Sequence, residues 1–348
     1  DDIDPAQTDD DYPSKQFGIV TYTGNATTGQ AITGLGLQPD LIWAKCRSHA
    51  QSNFLSDTSR GINKFVFSDQ DSDEGTGGGY TTVYSSFDSD GFTLGTSGSG
   101  PNDSGRTYVA WGWRANGGTT ASNSSGSITS TVQANTKGGF SIMTYTGNGS
   151  GGATIGHGLS AKPDFILIKR RSFDQTWGVY HSSLGATKYI ALNTTAAAGT
   201  DSAFWNNTEP TTTLITLGTE GRVNYNTATY VAYAWHNVDG YSRFGKYVGN
   251  YNTDGTFIYT GFRPRMLFVK RSDAVNSWFV WDTERTTFNK MNSYLYWDLS
   301  NGEETGYAID VYSNGFKLRG QNNATNNSGG TFIYGAWGDV PFKYNNTF

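Results

Sequence analysis

The chain has 348 residues, a net charge of −5, and aromatic residues at 15% against charged residues at 16%. So many aromatics exclude a disordered chain, and an acidic pI of about 5.4 argues against a nucleic-acid surface, which needs clustered Lys and Arg. Cys46 is the single cysteine, so no intrachain disulfide is possible; no apolar run approaches the ~18 residues of a membrane-spanning helix, so no membrane insertion is expected.

Residues 1–16 hold six Asp and no apolar period, and read as an acidic N-terminal arm. From residue 17 onward, short runs of β-branched and aromatic residues bounded by Gly, Pro, Asn and Asp predict strands. Thr21-Tyr22-Thr23-Gly24-Asn25 opens a first unit, followed by Pro39-Asp40-Leu41-Ile42-Trp43-Ala44-Lys45, then Asn53-Phe54-Leu55-Ser56-Asp57, and finally Tyr108-Val109-Ala110-Trp111-Gly112-Trp113. Asp90-Gly91 predicts a hairpin turn, where Gly tolerates positive φ. In the last strand, alternation sends Val109, Trp111 and Trp113 to one face and Tyr108, Ala110 and Gly112 to the other.

Residues 115–138, rich in Gly, Ser, Thr and Asn, read as a linker with one strand near 127–132. The blocks then recur in order: Thr144-Tyr145-Thr146-Gly147-Asn148, Pro163 to Lys169, Trp177 to His181, and Tyr230 to Trp235. Residues 186–199 are the best helical candidate, but their Thr and Gly content favours strand and loop. A third set follows closely: Lys246 to Asn250, Pro264 to Lys270, Trp278 to Asp282, and Phe332 to Trp337, with a second turn at Asn314-Gly315. The Lys45–Lys169 spacing equals that of Asp57–His181, and Lys169–Lys270 equals His181–Asp282. The chain is therefore expected to be all-β, with three tandem divergent β-sandwich repeats of jelly-roll or lectin-like type. They span residues 17–114, 140–236 and 244–342, with a tail over 343–348. A pseudo-threefold arrangement is compatible with three copies.

Chemistry for catalysis is sparse. The four His never occupy one position in all three units, and His181 stands where the other units carry Asp57 and Asp282. A slot that keeps polarity but not identity favours structural hydrogen bonding over catalysis, so the chain is expected not to be an enzyme. Lys45, Lys169 and Lys270 recur after an apolar run. They read either as anion or sugar contacts or, as favoured here, as strand-end lysines that snorkel or pair with Asp57 and Asp282. Asp69, Asp71 and Asp73 alternate as in a calcium loop, but the loop lacks Gly at its sixth position and Glu at its twelfth; a solvated acidic loop is favoured, and no other cofactor is expected. Repeated tryptophans read as core. Unrepeated aromatics, namely Tyr80, Tyr84, Phe204, Trp205, Trp297 and Tyr312, are the better candidates for ligand or interface contacts.

With these blocks in place, the chain resembles a family of β-repeat, virion or tail-fibre-like proteins of tailed bacteriophages, many from marine and cyanobacterial hosts. The resemblance runs from Gly139 to Asp273 and continues at Gly315-Phe316-Lys317-Leu318-Arg319 and Pro341-Phe342-Lys343, with the first unit as a more divergent copy. Arg265 and Trp337-Gly338-Asp339 depart from its pattern. The resemblance supplies no catalytic residue. It implies a homo-oligomer, such as a trimer, on the virion exterior, made in the host cytoplasm, with other virion proteins and host cell-surface polysaccharide as partners. Tail-fibre or host-recognition binding of glycan is the leading expectation, capsid decoration the alternative, and a polysaccharide depolymerase a remote third.

Overall fold

A computed structural model describes residues 12–75, 83–95 and 100–338. The protein is all-β, built of antiparallel strands; the described residues add two single-turn α-helices at Ser202–Trp205 and Gly221–Asn224 and a 3₁₀ turn at Pro13–Lys15. In each of the three stretches the closing strand is central. Thr107–Trp113 lies between Phe17–Thr23 and Leu41–Cys46, Thr229–Trp235 between Phe140–Thr146 and Phe165–Arg170, and Thr331–Gly338 between Ser242–Val248 and Pro264–Arg271. A second layer covers one face of each and completes a sandwich; in the first two stretches it is a separate small sheet, and in the third it is the far end of the same eight-stranded sheet. This layer contains Ala31–Thr33 with Gly91–Leu94, then Ala153–Gly156 with Leu214–Leu217, then Phe257–Tyr259 with Gly315–Leu318.

The central strands are buried on both faces, and their alternation is as expected. Val109, Trp111 and Trp113 enter one large core, together with Val231, Tyr233 and Trp235 and with Ile333 and Trp337. The opposite faces line three separate cores, which contain Ala110, Ala232 and Ala336. At the centre Trp113, Trp235 and Trp337 form a triangle. Their ring centroids stand 5.8, 5.4 and 6.0 Å apart, each pair T-shaped, the geometry that places a ring edge on a neighbour's π face. The three stretches thus surround an axis on which equivalent residues meet.

The Thr-Tyr-Thr-Gly-Asn block now has a physical reading. The Tyr22, Tyr145 and Tyr247 hydroxyls donate to the carbonyls of Pro101, Val223 and Thr325. The next residues, Asn102, Asn224 and Asn326, accept from the backbone N–H of Asn25, Asn148 and Asn250. The Gly between must be bare, because a Cβ on Gly24, Gly147 or Gly249 would stand 2.3 to 2.4 Å from a backbone oxygen. Asn224 is fully buried and also donates to the Ser150 and Gly218 carbonyls. Asn224→Ala leaves these groups without partners, at about 2–3 kcal/mol. A drop of that size in denaturant-derived stability is expected, and an unchanged midpoint would remove this clamp from the account.

Two expectations need correction. Residues 115–138 are not a bare linker: Ala121–Asn123 and Ser130–Asn135 add two strands to the middle sheet. Val132 supplies the buried face that the polar composition hides, and buried Gln133 bonds Asn116, Gly118, Thr58 and Ser59. The two turns fall at the expected places, but Gly315 is not required by its φ. Its Cβ would lie 2.2 Å from the Ile258 carbonyl oxygen. Residues 186–199 form no helix, as expected, and contribute the short strand Lys188–Tyr189.

Candidate functional site: inter-unit seams and one exposed aromatic face

The recurring lysines neither snorkel nor pair with Asp57 and Asp282. Asp57 pairs with Leu41, four residues before Lys45 on the same strand, so the two charges lie at opposite ends. Instead each lysine is buried and donates to a carbonyl of the next unit: Lys45 to Leu299, Lys169 to Asp71, and Lys270 to Thr195, at 3.0, 2.8 and 3.1 Å. Each also donates to a carbonyl of its own unit, at Gln51, Gln175 and Asn276. Burial lowers all three to about 8, against nearby carboxylates for Lys45 and Lys169 and against Asp298 for Lys270. Eight residues on, Asn53, Trp177 and Trp278 donate across the same seams to Trp297, Phe67 and Ala191.

The slot of Asp57, His181 and Asp282 is the third cross-seam contact, and its changing identity follows from its partner. Asp57 accepts from the Tyr233 hydroxyl at 2.7 Å, and Asp282 accepts from the Trp111 indole N–H at 3.1 Å. The equivalent third partner is Gly335, which has no side chain to donate. There His181 accepts the Ser183 N–H at Nδ1 and donates from Nε2 to the Tyr334 carbonyl at 3.1 Å. Burial pushes His181 down to about 4, outweighing that hydrogen bond, so the ring is neutral at pH 7. The surrounding charges change in step. Arg60 and Arg285 pair with Asp57 and Asp282, at 2.5 and 2.6 Å. Glu74 joins Arg60 to Arg171, and Glu303 joins Arg285 to Arg47. The corresponding positions at the His181 seam are Leu184, Ala198 and Ser272, where the Ala198 N–H bonds the Ser272 carbonyl. Ion-pair networks therefore span two seams, and among the described residues none spans the third.

The acidic loop belongs to one of these seams. The Asp69 carboxylate accepts the Asn53 N–H, the Asp71 carbonyl accepts from Lys169 and from the Gln175 N–H, and the Asp73 N–H donates to Asp174. Among the described residues no group of three His, Cys, Asp or Glu is placed to hold a metal.

Of the aromatic candidates, Tyr80 lies outside the described residues. Tyr84, Phe204, Trp205 and Trp297 are fully buried and present no face to a ligand. Tyr84 packs on Phe92, Trp205 on Tyr180, and Trp297 stacks on Trp43 at 4.2 Å. They are unrepeated because they fill local volume. Tyr312 does reach the surface, and the structure adds two neighbours that periodicity alone could have suggested. Phe257 and Tyr259 alternate with buried Ile258 on one strand, and are 44% and 63% exposed. Cross-strand register places Tyr259, Gly315 and Tyr312 in one row, and Phe257, Lys317 and Asp310 in the next. Side chains opposite one another share a face, so three aromatic rings stand around Gly315. Phe257 and Tyr312 meet edge to face at 5.9 Å. Polar groups border the rings: Asp310 pairs with Arg319, and Asp254 with Lys317. The first unit carries Ala31, Thr33 and Thr93 at this place, and in the middle unit Ser127, Ile128 and Ser130 bond over it.

The fold and these seams define an all-β protein of antiparallel sheets joined around one shared aromatic core. Its family model, described as a domain of unknown function (DUF7483), matches residues 12–341, and the chain belongs to that family. No curated protein and no solved structure matches it.

Proposed function

We propose that the chain is a non-enzymatic surface protein of a bacteriophage virion, a tail-fibre or host-recognition module that binds cell-surface glycan. The phage setting rests on the resemblance of its sequence blocks. The binding reading is carried by the face of Phe257, Tyr259 and Tyr312, whose exposed rings beside charged and hydroxyl groups suit the C–H faces and hydroxyls of sugars. The recurring polar slot supports a non-catalytic reading, since Asp57, His181 and Asp282 are buried and spend their hydrogen bonds on the seams.

Purified chain should bind host cells or their extracted polysaccharide. Tyr259→Ala and Tyr312→Ala should each weaken binding about threefold to tenfold, as loss of one ring contact does, with unchanged melting temperature. Failure of the isolated chain to bind while the intact virion binds would end this reading.

Capsid decoration is the second reading, favoured by one observation. Phe17 and Trp337 stand 6.1 Å apart at the axis, so the strand Phe17–Thr23 begins and the strand Thr331–Gly338 ends at one pole, a single face to set against a neighbour. Distribution over the whole head in electron micrographs of labelled particles would select it over the tail.

A further inference from the structure

We propose that the middle unit carries a second, separate site, formed by Arg170, Gln175, Phe173 and Tyr225, that binds the carboxylate of an acidic sugar. This rests on the reading of the chain as a glycan binder, but it uses a different face. Arg170 ends the strand Phe165–Arg170, and its guanidinium is clamped between two aromatic rings. Its central carbon lies 4.8 Å from the Phe173 ring centroid and 4.6 Å from that of Tyr225. Both rings are well exposed, at 62% and 54%. Within the described residues Arg170 donates no hydrogen bond, and its Nε is sealed from solvent without an acceptor. Gln175 accepts the Thr176 N–H at Oε1 and leaves its Nε2 amide unused. The two sets of donors converge on Gly221: Arg170 Nη1 and Gln175 Nε2 lie 3.9 and 3.6 Å from where its Cβ would stand.

The other two units show that this amide is unusual. Its counterpart Gln51 donates to the Gly100 carbonyl and to Asp103, and Asn276 donates to the Asn323 and Ala324 carbonyls. In each case the amide ties down its own unit's loop. In the middle unit that loop is the one-turn helix Gly221–Asn224, and the amide is left over. The neighbouring acids are already engaged: Glu220 pairs with Arg222, Glu74 with Arg171 and Arg60, and Asp174 accepts the Asp73 N–H. Arg170 is thus an unshared cation, held flat beside a second donor. A planar carboxylate is the complement of such a pair. Ring stacking fixes the guanidinium before binding, so less freedom is lost when a ligand arrives. A sugar acid uses both the donors and the exposed ring faces, whereas a peptide carboxylate uses the donors alone.

The test titrates the full chain with oligogalacturonate and with its methyl ester, which keeps the sugar rings and removes the charge. The acid should bind at least about tenfold more tightly than the ester. Arg170→Met and Gln175→Ala should each weaken acid binding without altering melting temperature or the binding of neutral glycan at the Tyr259 face. Equal binding of acid and ester, no binding of either, or wild-type affinity in both variants overturns the proposal. Tighter binding of an acidic peptide overturns the assignment to sugar. If neutral host glycan binds through Tyr259 while oligogalacturonate does not bind, this site fails and the glycan reading stands. The reverse result keeps this site and removes the role of the Tyr259 face.

Discussion

Asp57→Ala is expected to destabilise the protein by about 3–5 kcal/mol, because it leaves a buried cation without its nearest partner. The Arg60 side chain is fully buried, and Asp57 meets it at 2.5 Å while also accepting from Tyr233 across the seam. Glu74 remains at 3.1 Å, but it is shared with Arg171. Although burial opposes it, Arg171 and Arg60 hold the Glu74 carboxyl below its usual range, so it is already committed. His181→Ala makes a contrast at the equivalent position. It removes two neutral hydrogen bonds, to the Tyr334 carbonyl and from the Ser183 N–H, and strands no ion, and should cost about 1–3 kcal/mol. His181→Asp tests the logic more sharply, since it places a carboxylate against the Tyr334 carbonyl with Leu184 where an Arg is needed. Adding Leu184→Arg should recover part of that loss. Chemical denaturation of the four variants decides the matter. Equal losses for Asp57→Ala and His181→Ala would show that the ion-paired seams are no stronger than the one without an ion pair.

Much of the fold was legible because its local rules repeat. Alternation placed Val109, Trp111 and Trp113 on one face, and the block order located the central strands. The seams were not legible, because each closes between residues far apart in the chain. Nothing near Lys45 in sequence indicates that its ammonium will meet the Leu299 carbonyl. The misplacement of Trp297 has the same origin. At its seam the small residues Asn53 and Ser68 meet the Trp297 carbonyl while the Trp297 ring stacks on Trp43, whereas at the next seam the equivalent of Asn53 is Trp177, which reaches the Phe67 carbonyl, and at the third it is Trp278, packed on Phe268. Large and small residues trade places from seam to seam, so failure to repeat marks compensation of volume in a close-packed interior as readily as exposure. For the aromatic face the signal was present. Phe257 and Tyr259 flank Ile258 at period two, whereas failure to repeat singles out only Tyr312 from this row.

Stability should rise as pH increases from 8 toward about 9.5 and fall again above about 10. The three seam lysines set the rise. Their folded-state values near 8 lie below the ordinary 10.5, so between these limits the unfolded chain binds more protons than the folded one. Stability then grows with pH, by up to about 1.4 kcal/mol per pH unit for each lysine. Below pH 8 both states hold these protons and the lysines contribute no slope. Opposing them are buried tyrosines, among them Tyr22, Tyr145, Tyr233 and Tyr247, which burial pushes well above 10. They lose protons only in the unfolded chain as pH passes 10, which favours unfolding. The acid side is flatter. His157 and His181, each lowered to about 4 by burial, add stability as pH rises toward 6.5, while Asp298, raised to about 7 by burial, removes it over much of the same range. Denaturant midpoints at half-unit steps from pH 7 to 11 measure the curve. Lys45→Met, Lys169→Met and Lys270→Met should each remove about one third of the rising slope, whatever each does to stability at pH 7. A profile without a rise above pH 8, or slopes unchanged in all three variants, would mean that the ammonium groups keep their ordinary proton affinity and are not sealed into the seams.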